Sequence, residues 1–284
     1  MFKKRISKKE SLNEKRLMNS NVIVKIGIDS EKLISLLKEY MIPEEFQKRA
    51  QIVLRSKTDF QDIYRKYDCL RRYELFLNGV CNEIGELNYP CKCEVCGKIE
   101  NMVVLSENPE INWRESLICP DCSCSNHLRF WIGKIRREYQ DGMKVFLYEC
   151  NTLLHRYIQQ DIPDVTARSF REEDRTKEYY ENFDNLEQQS NCFSLVIAND
   201  IWEKIPDYEK ALEEAARITC KGGKLVFTTV FNANSNTSER GVLGWDILDK
   251  LKKIGFSDAY VVADLSIEEG YLGYLPMYFE AVKE

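Results

Sequence analysis

The chain has 284 residues, of which 44% are hydrophobic and 31% are charged, with a formal net charge of -5. This length predicts two units, and the composition supports a sizeable core and excludes disorder throughout. No apolar run approaches the roughly 20 residues that cross a bilayer, and the mild acidity argues against a dedicated nucleic-acid binder, so we predict neither a membrane nor a nucleic-acid partner.

Residues 1–88 are predicted to be a basic tail followed by a helical region. Apolar residues recur at helical spacing from Ser30 to about Leu77, including the set Phe46, Ala50, Val53 and Leu54. We see no chemistry-bearing pattern here and predict a layer that mediates contacts, with a protein partner as the candidate. The basic tail is either a solvated end or a docking arm for an acidic partner.

Residues 89–126 are predicted to form a zinc ribbon. Two CxxC pairs, Cys93 with Cys96 and Cys119 with Cys122, supply the four sulfur ligands of a closed structural Zn²⁺ site. A redox-active pair is the alternative, and two pairs at this spacing disfavour it. Cys91 and Cys124 flank the pairs as spare thiols. Eleven cysteines without a signal segment indicate a reducing, cytoplasmic setting.

Residues 127–284 are predicted to hold a linker helix and an α/β domain. Strand-like runs alternate with helix-like runs, which indicates right-handed crossovers. The predicted strands are 145–148, 165–167, 193–198, 224–230, 260–263 and 277–282, and the helices between them are 152–160, 207–219 and 245–254. The prediction is a doubly wound, mostly parallel Rossmann-like sheet, with a ligand site beyond the carboxyl ends of the strands.

The stretch from Phe193 through Asn199, Asp200 and Glu203 to Gly222-Gly223 is similar to the middle of class I S-adenosylmethionine-dependent methyltransferases of the type 11 kind. There a central strand ends in an Asp-containing turn, and a Gly-Gly turn opens the next strand. The CxxC pairs, with Asn112-Trp113-Arg114-Glu115-Ser116-Leu117 between them, resemble a subgroup that carries an N-terminal zinc ribbon. The resemblance covers roughly residues 90–284.

The resemblance implies an S-adenosylmethionine cofactor and direct methyl transfer to a small-molecule or saccharide acceptor. It also suggests the residues near the cofactor, which are Glu149, Asn151, Glu172, Asp184, Leu186, Asn199, Asp200 and Ile201. Carboxylates at the strand ends would favour a ligand with a positive sulfonium and an ammonium group. Glu203 and His155 are the candidate bases, needed only if the acceptor loses a proton during attack.

The chain departs from the family in the turn after the first predicted strand. The usual Gly-x-Gly is replaced by Tyr148-Glu149-Cys150-Asn151-Thr152, and Lys204 stands where members often have a His. The alternative is therefore a catalytically degenerate, methyltransferase-like binding or scaffold protein. A third hypothesis makes the ribbon and basic tail a nucleic-acid module. The features together favour the enzyme.

Overall fold

A computed structural model describes residues 30–84, 87–104, 110–239, 241–273 and 276–284. The helices are α1 (Ser30–Met41), α2 (Glu44–Gln47), α3 (Lys57–Lys66), α4 (Asp68–Ile84), α5 (Trp113–Ser116), α6 (Asn126–Glu138), α7 (Leu153–Asp161), α8 (Tyr208–Ile218) and α9 (Asp246–Lys253). The strands are β1 (Ala50–Leu54), β2 (Asn88–Lys92), β3 (Ile99–Val104), β4 (Leu117–Ile118), β5 (Val145–Leu147), β6 (Val165–Ala167), β7 (Phe193–Asn199), β8 (Thr219–Thr228), β9 (Asp258–Leu265) and β10 (Met277–Val282). None of these helices is both long enough and apolar enough to cross a bilayer.

The chain divides into two compact units. Unit 1 holds the described residues within Met1–Ala50, Lys66–Phe130 and Leu265–Pro276, and unit 2 holds Gln51–Arg65, Trp131–Asp264 and Met277–Glu284. The predicted helical region and the ribbon thus fall largely into one unit. The three-part division at residues 88 and 126 stays a prediction.

Seven strands form the main sheet in the order β1-β9-β10-β8-β7-β5-β6. Strands β6, β5, β7 and β8 pair in parallel, and β10 runs antiparallel to both β8 and β9. The predicted α/β class with a mostly parallel sheet is confirmed. Since β5 lies between β6 and β7, the chain reverses its direction of winding at β5, which makes the end of β5 the switch point for ligand binding.

The middle of the main sheet is covered on both faces. In β7, Leu195, Val196 and Ile197 are all buried, as continuous apolar runs in parallel strands require. Phe227 of β8 stacks on Phe279 of β10 with ring centroids 4.7 Å apart. Each such buried side chain contributes about 1.5–3 kcal/mol to folding, so this layer fixes the strand ends firmly.

Residues 50–54 were expected to continue a helix, and that expectation is wrong. They form edge strand β1, with Leu54 fully buried and Val53 half exposed. The sequence between Arg49 and Arg55 is short and contains the β-branched pair Ile52 and Val53, which favours a strand once a sheet edge is available. Pairing with β9 therefore decides between helix and strand, because the apolar spacing fits both.

Unit 1 contains a second, antiparallel sheet in the order β2-β3-β4. Strand β2 pairs with β3 along its full length, from Asn88 opposite Val103 to Lys92 opposite Ile99. The first CxxC pair follows β2 directly, and the second follows β4. The sheet therefore brings the two pairs to one end.

A buried charge network lies in unit 2 on α6, β8 and β10. The Lys134 ammonium, on a side chain only 4% exposed, contacts Glu138 at 2.6 Å and Glu280 at 3.3 Å. Lys224 contacts the same two carboxylates at 2.9 Å and 3.0 Å. Burial alone would raise the pKa of Glu138, but hydrogen bonds from both lysines lower it below its ordinary value.

We expect Lys134→Met to destabilise the chain by about 3 kcal/mol, because Glu280 would keep a buried charge with one cation fewer. Urea unfolding measures this free energy. The control is Lys210→Met, which removes an exposed partner of Asp207 3.3 Å away and should change stability by less than about 1 kcal/mol. Equal effects of the two substitutions would contradict the assignment.

Candidate cofactor site and metal centre

The turn after β5 is anchored without a glycine. The Tyr148 amide donates to the Ile197 carbonyl at 2.9 Å, and Asn151 adopts a left-handed φ of 59°. Asparagine tolerates this conformation better than most residues. The Thr152 side chain then accepts from the His155 amide at 3.1 Å and caps α7. The missing Gly-x-Gly is therefore compatible with a well-formed turn.

Two predicted cofactor residues meet at the ends of β5 and β7. The Asn199 amide donates to Glu149 at 3.4 Å, and its oxygen accepts from the buried Thr228 hydroxyl at 3.2 Å. The hydrogen bond from Thr228 orients the Asn199 amide toward the Glu149 carboxylate. Glu149 is thereby placed at the switch point.

A pocket of about 140 Å³ opens at this point. Three of the predicted cofactor residues line it, namely Glu149, Asn199 and Ile201. The remaining lining residues were not predicted to bind the cofactor; they are Tyr148, Cys150, Ser169, Phe170, Arg171 and Lys204. Of these, Tyr148, Cys150 and Lys204 stand at positions where the sequence departs from the family. The pocket thus combines one carboxylate with two cationic side chains.

The segment after β6 presents Ser169 and Arg171 to the pocket, while Glu172 does not line it. The Glu172 side chain is 77% exposed and pairs with Arg175 at 2.8 Å. The carboxylate held near the strand end belongs to Asp174, which accepts from the Ser169 hydroxyl at 2.6 Å and from the Tyr179 hydroxyl at 3.1 Å. The sequence pattern indicated only Glu172, two residues earlier, as the acidic residue near the cofactor.

Asp184 and Leu186 lie in a segment that α8 fixes. Glu214 accepts from the Leu186 amide at 2.7 Å, and Arg217 donates to the Leu186 carbonyl at 2.9 Å. The hydrogen bond from Arg217 lowers the pKa of Glu214, so this pair stays ionised. Leu186 is buried and Asp184 is half-buried, and neither lines the pocket.

Asp200 follows β7 in a left-handed conformation with φ 48°. Its amide donates to the Thr228 carbonyl at 3.1 Å, and its own carbonyl accepts from the Lys204 ammonium. Asp200 therefore shapes the turn and places Lys204, and it does not line the pocket.

The two candidate bases are held differently. The Nδ1 atom of His155 accepts from the Asn151 amide at 3.2 Å, so this nitrogen carries no proton and pins the turn. Burial also lowers the pKa of His155, which favours the neutral ring. Glu203 accepts from the Thr229 hydroxyl at 3.1 Å on a side chain 16% exposed. Neither residue lines the pocket, although Glu203 precedes Lys204, which does.

The pocket and its neighbourhood are compatible with a bound cofactor. The Tyr148 hydroxyl and the Trp202 indole nitrogen are buried, and no partner for either occurs among the described residues. Their rings lie 5.2 Å apart. Ligand pockets usually measure about 300–1,000 Å³, so a whole cofactor requires side chains to move. Arg171 and Lys204, 51% and 58% exposed, can do so.

The four predicted zinc ligands converge in unit 1. The sulfur atoms of Cys93, Cys96, Cys119 and Cys122 all lie within 4.8 Å of one another. Cys93 is 3.6 Å from Cys122, and Cys96 is 3.9 Å from Cys119. A tetrahedral ZnS₄ site with bonds near 2.3 Å requires sulfur atoms about 3.8 Å apart. The cluster therefore fits a zinc ribbon.

The two CxxC turns share one backbone pattern. The Gly97 amide donates to Cys93 O at 2.8 Å, and the Ser123 amide donates to Cys119 O at 2.9 Å. Both donor residues have a left-handed backbone conformation, Gly97 with φ 74° and Ser123 with φ 59°. Cys91 and Cys124 stay outside the four-sulfur cluster of the described residues, as expected for spare thiols.

Ser123→Gly should stabilise the chain by up to about 1 kcal/mol, because glycine adopts a left-handed φ without the penalty that a serine pays there. Thermal unfolding of the metal-loaded chain measures the change. The matched substitution Gly97→Ala should destabilise it by about 1 kcal/mol, although a Cβ at Gly97 meets no atom within 4 Å. Changes of the opposite signs would contradict the shared-turn geometry.

Part of unit 2 is similar to a known protein family. Residues 142–227 match the family model described as a methyltransferase domain. The matched segment lies within unit 2. It contains β5 to most of β8, with the turn, the pocket strands and Glu149. The predicted methyltransferase resemblance is confirmed.

Three solved structures illustrate the similarity. A SAM-dependent methyltransferase from Thermotoga maritima, described as a possible histamine N-methyltransferase, is 17% identical, with 55% of this chain and 91% of that chain covered and a TM-score of 0.40. A SAM-dependent methyltransferase from Aquifex aeolicus is 12% identical, with 53% and 87% covered and a TM-score of 0.38. The [4+2]-cyclase SpnF is 16% identical, with 78% and 79% covered and a TM-score of 0.41. No curated protein matches the chain in sequence.

Proposed function

We propose that the chain is an S-adenosylmethionine-dependent methyltransferase that acts on a small-molecule or saccharide acceptor and is stabilised by a structural Zn²⁺. The observation that carries this proposal is Glu149 at the switch point of a methyltransferase domain, hydrogen-bonded to Asn199. When bound, S-adenosylmethionine supplies an electrophilic methyl group on a positively charged sulfur.

The residues around the pocket suit the charged ends of this cofactor. The Glu149 carboxylate would bind the ammonium group, and Lys204 or Arg171 would bind the carboxylate. Tyr148 and Ile201, both buried, would exclude water from the reacting groups. Methyl transfer needs alignment of nucleophile and methyl group more than it needs acid or base chemistry.

Where the acceptor must lose a proton, Glu203 is the better placed base. Its Oε2 atom accepts a hydrogen bond from Thr229 at 3.1 Å, and its Oε1 atom, 3.7 Å from the Lys204 ammonium, keeps acceptor positions. The His155 ring nitrogen that could take a proton already accepts from the Asn151 amide. We therefore assign His155 to holding the turn and Glu203 to accepting the proton.

The metal proposal follows from the ligand set. Four thiolates leave no open position on zinc, so the ion would stabilise the ribbon and take no part in the reaction. Burial raises the pKa of the Cys96 thiol to about 11 when no metal is present, so binding must release protons. A reducing, cytoplasmic setting, which we also propose, would keep the unbound thiols reduced.

The proposed protein partner would contact the N-terminal helices. On α1, Leu36 and Tyr40 are 44% and 86% exposed, and on α4, Leu75 and Phe76 are 54% and 44% exposed. A protein partner would bury these four apolar side chains. The nucleic-acid hypothesis depends on the basic tail, which lies outside the described residues.

The acceptor class is tested with S-adenosylmethionine labelled on its methyl group. The full chain is incubated with amines, phenols and neutral saccharides, and labelled product is counted. The proposal predicts label in at least one small-molecule or saccharide pool and a strong reduction by Glu203→Gln if proton loss is needed. Label found solely on added protein or RNA would overturn the acceptor class.

A further inference from the structure

Two hydrogen bonds join the glycine-free turn after β5 to the start of α7, and all the residues involved belong to unit 2. The Asn151 amide donates to Nδ1 of His155 at 3.2 Å, and the His155 amide donates to the Thr152 hydroxyl at 3.1 Å. Asn151 has a left-handed φ of 59°, a conformation that costs free energy in residues other than glycine. The acceptor on His155 therefore helps to keep the turn in this conformation.

The turn carries the proposed cofactor carboxylate between two fixed points. At one end the Tyr148 amide donates to the Ile197 carbonyl of β7 at 2.9 Å, and at the other end the Asn151 amide is bound to His155. Glu149 lies between these two bonds and lines the pocket. A change at His155 therefore reaches Glu149 through the backbone of the turn.

The contact requires an uncharged imidazole. The Nδ1 atom can accept from the Asn151 amide only while it carries no proton. Burial lowers the pKa of His155 from its ordinary value of 6.5. His155 is also the third residue of α7, where the positive end of the helix disfavours a second positive charge. A proton on Nδ1 would set two donors against each other, so the ring would have to leave the amide.

Other titratable groups surround this contact. The Cys150 sulfur lies 3.9 Å from Nδ1 of His155, and burial raises the pKa of its thiol, on which the charges of Asp174 and Arg168 act in opposite directions. Burial also raises the pKa of Tyr179, which hydrogen-bonds the side chain of Asn151. The thiol and the phenol thus stay uncharged below pH 8, whereas a histidine ring changes its charge between pH 5 and 8.

We propose that His155 is a positioning residue for the cofactor and that the chain binds S-adenosylmethionine tightly only while the imidazole of His155 is uncharged. Protonation releases the Asn151 amide, loosens the backbone that carries Glu149, and brings a positive charge to a turn that binds an ammonium group. Affinity is therefore full above the pKa of His155 and falls as the pH drops through it. The inference rests on the proposed function, because it concerns the cofactor of that reaction.

Calorimetric titration of the zinc-loaded chain with S-adenosylmethionine at pH 5, 6 and 7.5 tests the proposal. We expect the affinity to be about tenfold lower at pH 5 than at pH 7.5, as for the loss of one hydrogen bond. His155→Leu, which lacks the acceptor, should bind about tenfold more weakly than the unmodified chain at pH 7.5. His155→Asn places an amide oxygen as many bonds from the backbone as Nδ1, so it should restore most of this affinity.

The comparison between chains isolates the contribution of His155. The pH dependence that His155→Asn retains comes from other groups, and the unmodified chain should exceed it by about tenfold between pH 7.5 and pH 5. Gln159→Leu, at an exposed position of the same helix, is the control and should follow the unmodified chain. Melting temperatures at each pH report folding. Equal pH profiles of the unmodified chain and His155→Asn, or full affinity of folded His155→Leu at pH 7.5, would overturn the proposal.

A measurement without cofactor separates this inference from the proposed function. In the ligand-free chain labelled with ¹⁵N-asparagine, the amide signal of Asn151, assigned by its loss in Asn151→Gly, should shift with a midpoint below pH 6.5. The shift should be absent from His155→Asn. No binding of S-adenosylmethionine at any pH would contradict the proposed function, and the amide signal would still show whether His155 holds the turn. An Asn151 signal that stays constant from pH 5 to 7.5 would overturn the inference whether or not the cofactor binds.

Discussion

Replacing Cys119 with Ser is expected to remove the metal from the chain and unfold the ribbon. Metal content should fall from about one zinc per chain to nearly none, because a structural site needs all four ligands. Apparent binding free energies of structural zinc are about 10–16 kcal/mol, far more than a small three-stranded sheet can replace. Elemental analysis of the purified protein gives the metal content, and circular dichroism gives the loss of structure.

The matched control is Cys124→Ala, which removes a buried thiol next to the cluster but outside the four ligands. It should keep its zinc and lose stability only through a small packing defect of about 1 kcal/mol. A strong chelator should reproduce the Cys119→Ser result in the unmodified chain. Full zinc content in Cys119→Ser, or equal loss in Cys124→Ala, would show that the ligand set is different.

The second large effect is expected at the switch point. Glu149→Gln preserves the size of the side chain and removes its charge, so an ammonium group would lose a charge-assisted partner. Such bonds contribute about 1.5–3 kcal/mol, which corresponds to roughly a 10- to 150-fold weaker affinity for S-adenosylmethionine. Calorimetric titration measures the affinity, and thermal unfolding checks that the variant is folded.

Glu172→Gln is the control for this substitution. The same family resemblance suggests Glu172 as a cofactor residue, but its side chain is 77% exposed and pairs with Arg175. We expect no more than a twofold change in affinity, consistent with the small worth of an exposed ion pair. If Glu172→Gln weakened binding as much as Glu149→Gln, the pocket described around β5 would not be the cofactor site.

The features that sequence predicted best depend on local patterns. The limits of β6 and β10 coincide with the predicted runs. The CxxC pairs were equally informative, since the spacing itself brings two sulfurs to one ion. The turn after β5 and the place of Glu149 also followed from the strand that precedes them.

The features that sequence missed depend on tertiary contacts. Strand β1 needed the edge of β9, and the apolar spacing of Ala50–Leu54 fits a helix equally well. The approach of Asp174 to the end of β6 depends on bonds from Ser169 and Tyr179, which no spacing reveals. The hydrogen bond from the Gly273 amide to Glu74 of α4 joins residues 199 positions apart, a contact that no sequence pattern predicts.

The glycine-free turn after β5 is predicted to bind S-adenosylmethionine. Isothermal titration of the purified, zinc-loaded chain with S-adenosylmethionine tests it most directly. We predict saturable binding of one molecule per chain, with a dissociation constant between about 1 µM and 1 mM, the range in which enzymes usually bind their substrates. The prediction would be contradicted if millimolar S-adenosylmethionine produced no binding heat and no rise in melting temperature. The domain would then serve for binding or scaffolding alone.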